Sequence, residues 1–417
     1  MIAFHPRQYL YLLTGVLVST ILSGCGSQIF APRMQSQASD TKLSQQHPQP
    51  TGHGQSTPPP PAKQPEVLYV VYDDGCSTDQ TGDCNASIFP FALDPSTGIP
   101  TFAGPGISFL NPISIVADKQ RSKIALETWA DSTGGWYSLQ LYEAQSNGSL
   151  RNLAATALSQ QSAIRFHPNG RWLLAGPGPL DAFTSVVANT ENALDMQAGL
   201  ELLPGSVSDL GFVGSDAVMN PDGVHVYAAS LGYQMRSYTM KLDGDGDEVQ
   251  LIPGHFQSLA GNPAIGLEPS LGMNPSGHWL YAQTEPGTVV SVAINTDGSL
   301  SSQSVSSNPG WLVGSDIDAT GNYAFFDEQE FHVNPTNGSF ENGKTYTENS
   351  VLAVQTDASG KFVYTLDVAP GADLPEVTGY SLDSTGKLTP LSTSPWTLQG
   401  SAQHLPVGIM VVSAVSQ

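Results

Sequence analysis

The chain is poor in charge, in cations above all, and in cysteine. Charged residues make up 12% of its 417 residues, with 15 Lys+Arg against 37 Asp+Glu, a formal net charge of −22. So acidic a surface repels phosphate backbones, which excludes nucleic acid as a partner. Three cysteines without a CxxC or an HxxxH spacing exclude the familiar zinc sites. No GxSxG elbow is present, which removes the usual serine-hydrolase nucleophile. The apolar stretch 9–22 (YLYLLTGVLVSTIL) is too short to span a bilayer comfortably.

That stretch instead reads as the h-region of an export signal, behind Arg7 and ahead of Leu22-Ser23-Gly24-Cys25. LSGC resembles the bacterial lipobox, which implies acylation of Cys25 after removal of residues 1–24. Gly26 in place of Asp implies default sorting to an outer membrane in a Gram-negative host. Residues 25–65 are rich in Gln, Ser and Pro without apolar periodicity, as expected of a lipidated tether. The first 65 residues hold four basic residues (Arg7, Arg33, Lys42, Lys63) and one acid (Asp40). That leaves 11 basic and 36 acidic residues, net −25, for 66–417.

Forty-two Gly and 31 Pro favour a turn-rich, strand-rich body. One phrase recurs within it: FHPNGRWLLAGP (166–177), MNPDGVHVYAAS (219–230) and MNPSGHWLYAQT (273–284), with weaker copies IDATGNYAFFD (317–327) and TDASGKFVYTLD (356–367). Its turn glycines, Gly170, Gly223, Gly277, Gly321 and Gly360, lie 53, 54, 44 and 39 residues apart. A second turn phrase answers it in FALDPSTGIP, YEAQSNGSL, MKLDGDGDEVQL, AINTDGSL, VNPTNGSF and YSLDSTGKL. Two strand pairs per period of 40–50 residues describe a four-stranded propeller blade. Inner strands beginning near Ile113, Ala163, Ser215, Ser270, Ser315 and Val351 make six units. The opening VLYVVYDD and the closing HLPVGIMVVSAV would join as a seventh. The expected fold is therefore all-β, a seven-bladed propeller over 66–417, closed by its terminal strands.

These turn-strands and outer turns resemble the propeller family named for 6-phosphogluconolactonase, which includes fungal muconate-lactonising enzymes. The resemblance covers roughly 67–415. It implies metal-free lactone chemistry by Arg, His and Glu in a central channel, without a cofactor, and a Gly-Pro-Arg-His signature upstream of the turn. Here Ser162-Ala163, Ser215-Asp216 and Pro269-Ser270 occupy the Arg-His place, and only Gln403-His404 keeps the His. His404 is thus a weak catalytic candidate.

VGSD stands before two inner strands, at 213–216 and 313–316, and places Asp216 and Asp316 at one channel mouth as ligand-binding candidates. Asp capping a turn through backbone amides is the competing reading. DGDGDE (243–248) offers Asp243, Asp245 and Asp247 to a cation, but Glu248 and Gly254 stand where an EF-hand loop needs Gly and Glu, so a solvated hairpin is favoured. His167, His225 and His278 read as structural. Cys76 and Cys84 lie in one exported loop and are disulfide candidates. The functional expectation is a monomeric, lipid-anchored extracytoplasmic propeller that binds a small molecule or protein partner. A divergent hydrolase of an unphosphorylated lactone is the alternative.

Overall fold

The computed structural model describes residues 65–415 apart from 77–83, 119–121, 130–136, 159–161, 169–171, 178–185, 190–213, 231–233, 243–248, 260–269, 286–287, 308–313, 373 and 397–404. Short antiparallel sheets follow one another along the chain. Blade A holds β1 (Glu66–Cys76), β2 (Cys84–Leu93) and an outer strand broken into β3 (Pro100–Phe102) and β4 (Ile107–Leu110). Blade B runs β5 (Pro112–Asp118), β6 (Lys123–Trp129), β7 (Tyr137–Ala144), β8 (Leu150–Leu158). Sheet C contains β9 (Ser162–Phe166), β10 (Trp172–Pro177) and β11 (Val186–Asn189). Blade D runs β12 (Gly214–Met219), β13 (His225–Ser230), β14 (Gln234–Leu242), β15 (Val249–Ser258), and blade E β16 (Ser270–Met273), β17 (Trp279–Glu285), β18 (Thr288–Ile294), β19 (Leu300–Ser307). Blade F runs β20 (Asp316–Ile317), β21 (Tyr323–Phe326), β22 (Gln329–Val333), β23 (Phe340–Thr345), and blade G β24 (Ser350–Thr356), β25 (Phe362–Val368), β26 (Glu376–Leu382), β27 (Leu388–Pro390). The last strand, β28 (Leu405–Ser413), pairs antiparallel with β1 from Glu66↔Ser413 to Asp73↔Leu405, and so becomes the inner strand of blade A.

Among the described residues, the expected seven four-stranded blades are corrected to six. Sheet C, among the described residues, has three strands in the order β11-β10-β9. The physical reason lies in the second turn phrase, which joins the third strand to the fourth. The sequence carries it six times with its Gly, whereas the unit starting near Ala163 has ANTENAL (188–194) in that place, with Asn192 where the others have Gly. Counting inner strands credited that unit with a fourth strand that is not found among the described residues.

Strand alternation puts apolar side chains on both faces of each blade, and neighbouring blades cover them. The cores therefore lie between blades. Leu68, Val70 and Tyr72 of blade A meet Tyr364 and Leu366 of blade G. Tyr281 and Val289 of blade E meet Ala324 and Phe326 of blade F. Phe325 of blade F meets Val351, Val354 and Val363 of blade G. The strand β28 packs against β24 on one side and β5 on the other. Among the described residues no helix is long and apolar enough to cross a membrane.

Candidate functional site

The repeated turn proves to be a fastening between blades. Its first residue reaches the carbonyl of the turn glycine one sheet further on. His167 Nε2–H donates to Gly223 O (2.8 Å), Asn220 Nδ2 to Gly277 O (3.0 Å) and Asn274 Nδ2 to Gly321 O (3.0 Å). All three side chains are buried, so each bond satisfies polar groups that water does not reach. In the Asn220 copy, Asp222 Oδ1 receives the Val224 and His225 amides, four and five places after the Asn. Where the turn opens with Asp, that residue takes those two amides itself. Asp318 Oδ1 accepts from Asn322 and Tyr323, and Asp357 Oδ1 from Lys361 and Phe362. A carboxylate has no hydrogen to give, so these copies close their own turns and make no such link forward.

A second fastening starts seven residues after the turn's first position. Tyr227 Oη donates to Gly298 O (3.1 Å) and Tyr364 Oη to Gly98 O (2.7 Å), each in the next blade's outer turn. Tyr69 Oη does the same to Gly148 O (3.3 Å). Burial pushes all three phenols far up, so they remain donors throughout the working pH range. Rings five places after the turn's start cover the same glycines. His225 lies against Gly298, Trp279 against Gly338, Tyr323 against Gly386 and Phe362 against Gly98. A Cβ at Gly298 would fall 1.9 Å from His225 Cδ2, and its φ of +76° also calls for glycine.

The strands nearest the ring centre carry bulges. The ladder skips Ile113 in β5, Ser215 in β12, Leu352 in β24 and Val407 in β28. A bulge re-aims the skipped side chain and is over-represented beside functional sites. Leu352 and Val407 are 46% and 48% exposed on the innermost strands of adjoining blades G and A, and Ile113 of blade B is half-buried. They form an apolar band on three consecutive blades. Turn chemistry and alternation gave no sign of them, since a bulge is a backbone property.

A cavity of about 380 Å³ lies among β16, β20 and β24, at the turn end of those inner strands. Leu271, Met273 and Ile317 supply apolar wall, and Ser315, Asp316, Thr356 and Asp357 supply polar groups. None of its described lining residues is Lys, Arg or His. Asp316 Oδ2 accepts from Thr356 N (2.7 Å) and Thr356 Oγ1 (2.8 Å), and Asp316 Oδ1 from its neighbour Ile317 N (3.0 Å). It therefore joins blade F to blade G while facing the cavity.

The two VGSD segments are out of register with one another. Asp216 pairs with Ala229, nine residues beyond Asn220, whereas Asp316 pairs with Phe325, seven beyond Asp318. Two residues along a strand is ~6.6 Å, so Asp316 sits one full pleat nearer its turn than Asp216 does. They do not share one mouth position. The position aligned with Asp316 is Val218 in blade D.

Of the other sequence candidates, Cys25, His404, Asp243, Asp245 and Asp247 lie outside the described residues, and Asp216 is described by its backbone alone. The backbones of Cys76 and Cys84 stand opposite each other at the open end of the β1–β2 ladder, and no disulfide is found among the described residues. Those residues also contain no group of three His, Cys, Asp or Glu arranged for a metal. His225 packs on its strand against Gly298 as expected and also hydrogen-bonds Asp222 (2.6 Å), whereas His278 is exposed in a bend rather than packed on a strand.

No protein-family model matches the chain, and no curated protein does. Solved structures do. One is a Bacteroides fragilis NCTC 9343 protein provisionally named a 6-phosphogluconolactonase, at 17% identity and TM-score 0.57 over 85% of this chain and 100% of that one. Another is the periplasmic gluconolactonase of Pseudomonas aeruginosa, at 17% identity and TM-score 0.52 over 84% and 100%. A Lactobacillus plantarum protein of unstated function aligns at 14% identity and TM-score 0.55 over 84% and 99%. The likeness is one of fold. It makes the chain a propeller related in architecture to lactonase-like proteins.

Proposed function

We propose that the chain is a lipid-anchored extracytoplasmic propeller whose ring centre binds a small uncharged or cationic ligand. The observation that carries this reading is the cavity among β16, β20 and β24. Its walls combine the apolar side chains of Leu271, Met273 and Ile317 with carboxylates and hydroxyls. Hydrolysis of a phosphorylated sugar lactone would need Arg or Lys to hold a dianion and a donor to steady the oxyanion. The described lining supplies Asp316 and Asp357 instead, and the body's net charge of −25 repels such a substrate. The lipobox-like LSGC and the Pro/Gln/Ser-rich segment behind it support attachment of the propeller to an outer membrane by Cys25 and residues 25–65. Cys76 and Cys84 fit a disulfide there, because opposed residues on antiparallel strands are ~4.5–5.5 Å apart at Cα, within disulfide range.

Hydrolysis of an unphosphorylated lactone is the second reading, favoured by the fold shared with two proteins that bear lactonase names. One experiment separates the two. The purified chain is assayed by pH-stat with glucono-1,5-lactone and 6-phosphogluconolactone, alongside thermal-shift titration with neutral and cationic metabolites. Binding without lactone opening above the spontaneous rate is expected. Accelerated opening that His404→Ala abolishes would replace binding with hydrolysis.

A further inference from the structure

The boundary between blades F and G is built unlike that between blades D and E. Position one of the blade F turn is Asp318, so no side chain there donates to Gly360 O as Asn220 donates to Gly277 O. Seven places on stands Phe325, where blades D and G have Tyr227 and Tyr364, and a phenyl ring has no hydroxyl to send to Gly386 O. Both side-chain fastenings are thus lost at one boundary, and the Asp316–Thr356 pair holds it instead. A groove of about 560 Å³ opens on that same boundary, walled by Asp318, Asn322 and Tyr323 of blade F and Lys361, Asp383 and Ser384 of blade G. It is separate from the ring-centre cavity, with which it shares no lining residue.

The chemistry of its walls restricts what fits. Asp318 is saturated by its own turn, accepting from the amides of Thr320, Asn322 and Tyr323 and from the Thr320 hydroxyl. Asp383 Oδ1 is likewise taken by Thr385 and by the Lys387 amide, which leaves Oδ2 as an acceptor for a ligand. The side chains of Asn322, Lys361 and Ser384 are exposed and make no hydrogen bond among the described residues, and neither does the Tyr323 hydroxyl. Burial and then the charges of Glu330, Asp318 and Asp383 push the Tyr323 phenol up, which keeps it a donor. An anion would meet those carboxylates. A cation would find one open carboxylate oxygen with an ammonium, Lys361, in the same groove. A neutral ligand with neighbouring hydroxyls, each able to give and take a hydrogen bond, matches an amide, a phenol, an alcohol, an ammonium and a carboxylate oxygen together. We infer that the groove between blades F and G is a binding site for a neutral carbohydrate chain.

The test uses the full chain in detergent and isothermal titration with maltohexaose, cellohexaose, chitohexaose and mannohexaose, with hexagalacturonate and hexalysine as charged comparators. At least one neutral hexasaccharide should bind. Ser384→Trp, which fills the groove from an exposed turn, and Asn322→Ala with Lys361→Ala should each weaken it at least tenfold at unchanged melting temperature. Leu352→Ala at the ring centre should leave the affinity within twofold. The inference is overturned by failure of all four neutral chains to bind, by tighter binding of a charged comparator, or by loss of affinity in Leu352→Ala but not Ser384→Trp.

Discussion

Asn220→Asp exchanges one nitrogen for oxygen in a buried turn and asks whether the blade-to-blade bond stabilises the ring. In the native chain Nδ2 donates 3.0 Å to Gly277 O, and Oδ1 accepts from the Asp222 amide at 2.9 Å. The aspartate keeps the acceptor and loses the donor. A buried neutral hydrogen bond is worth ~1 kcal/mol net, and an abandoned carbonyl costs a further ~1–3 kcal/mol. The new charge is also desolvated, because only 4% of residue 220 is exposed. A loss of ~2–4 kcal/mol at pH 7 follows. The sign of its pH dependence is fixed. Burial opposite a carbonyl raises the folded-state pKa of this aspartate above its unfolded value of ~3.9. The deficit is therefore smallest below that unfolded value, where the protonated carboxyl can donate to Gly277 O, and grows as pH rises through the folded value. Urea unfolding followed by tryptophan fluorescence at pH 7 and pH 4, each against wild type at the same pH, measures both quantities. Equal midpoints at pH 7, or a deficit that does not shrink at pH 4, would refute the fastening role.

Asp318→Asn alone should gain nothing, since it gives up the Asn322 and Tyr323 amides. Paired with Thr320→Asp it recreates the Asn220/Asp222 arrangement and should raise stability by ~1 kcal/mol in the same urea assay; a loss equal to that of the single variant counts against the two-turn chemistry. Glu330 is buried, and desolvation raises its carboxyl despite Lys344, so its contribution is full below pH ~4.3 and is lost as pH rises. Glu330→Gln should accordingly melt higher than wild type at pH 7 and no higher at pH 4, by scanning calorimetry; a lower melting point at pH 7 excludes this. Cys25→Ser should move the protein from the membrane pellet to the supernatant with its melting temperature unchanged, and persistent pelleting in high salt speaks against the anchor. Intact mass of exported material should lie two hydrogen atoms below the reduced value, the Cys76–Cys84 bridge stabilising by ~2–3 kcal/mol; two alkylatable thiols would remove it.

Blade architecture was legible because turn chemistry is local. Each second turn phrase encodes one outer hairpin, and taken literally its six copies give the six four-stranded blades. The error came from inner strands, whose alternating apolar residues exist in sheet C as well. The opening and closing strands were legible for a similar reason, each being half of a recognisable phrase. The ring-centre apolar band was hidden. Ile113, Leu352 and Val407 sit in ordinary strand sequence, and only the slip of the ladder makes them project. The Asn fastening stood between these cases. Its position was visible in every copy of the phrase, as Asn in two, His in one and Asp in two, but the partner of the Asn and His is a backbone carbonyl about 50 residues away, which leaves no mark in sequence.

The pair of VGSD segments shows how identical letters can part company. Their likeness drew attention to Asp216 and Asp316 together, yet the turn that follows comes two residues sooner after Asp316. Register, not identity, decides what a strand residue meets. Aligned by their turns, blade F departs from blade D in the residues that close the boundary: Asp316 stands for Val218, Asp318 for Asn220 and Phe325 for Tyr227. The changes compensate one another. Asp318 and Phe325 remove two donors from the boundary with blade G, and Asp316 brings a carboxylate that collects two hydrogen bonds from Thr356 across it. Val218, by contrast, is buried in the core shared by blades D and E. A boundary closed by one carboxylate near the ring centre is pinned at its inner end and open further out, where the groove lies. Local rules broken together, with a compensating bond beside them, are what a binding site within a repeat looks like. Nothing in blade F's own composition marks it. The mark appears only when its residues are laid against those of its neighbours in the register that the turns impose.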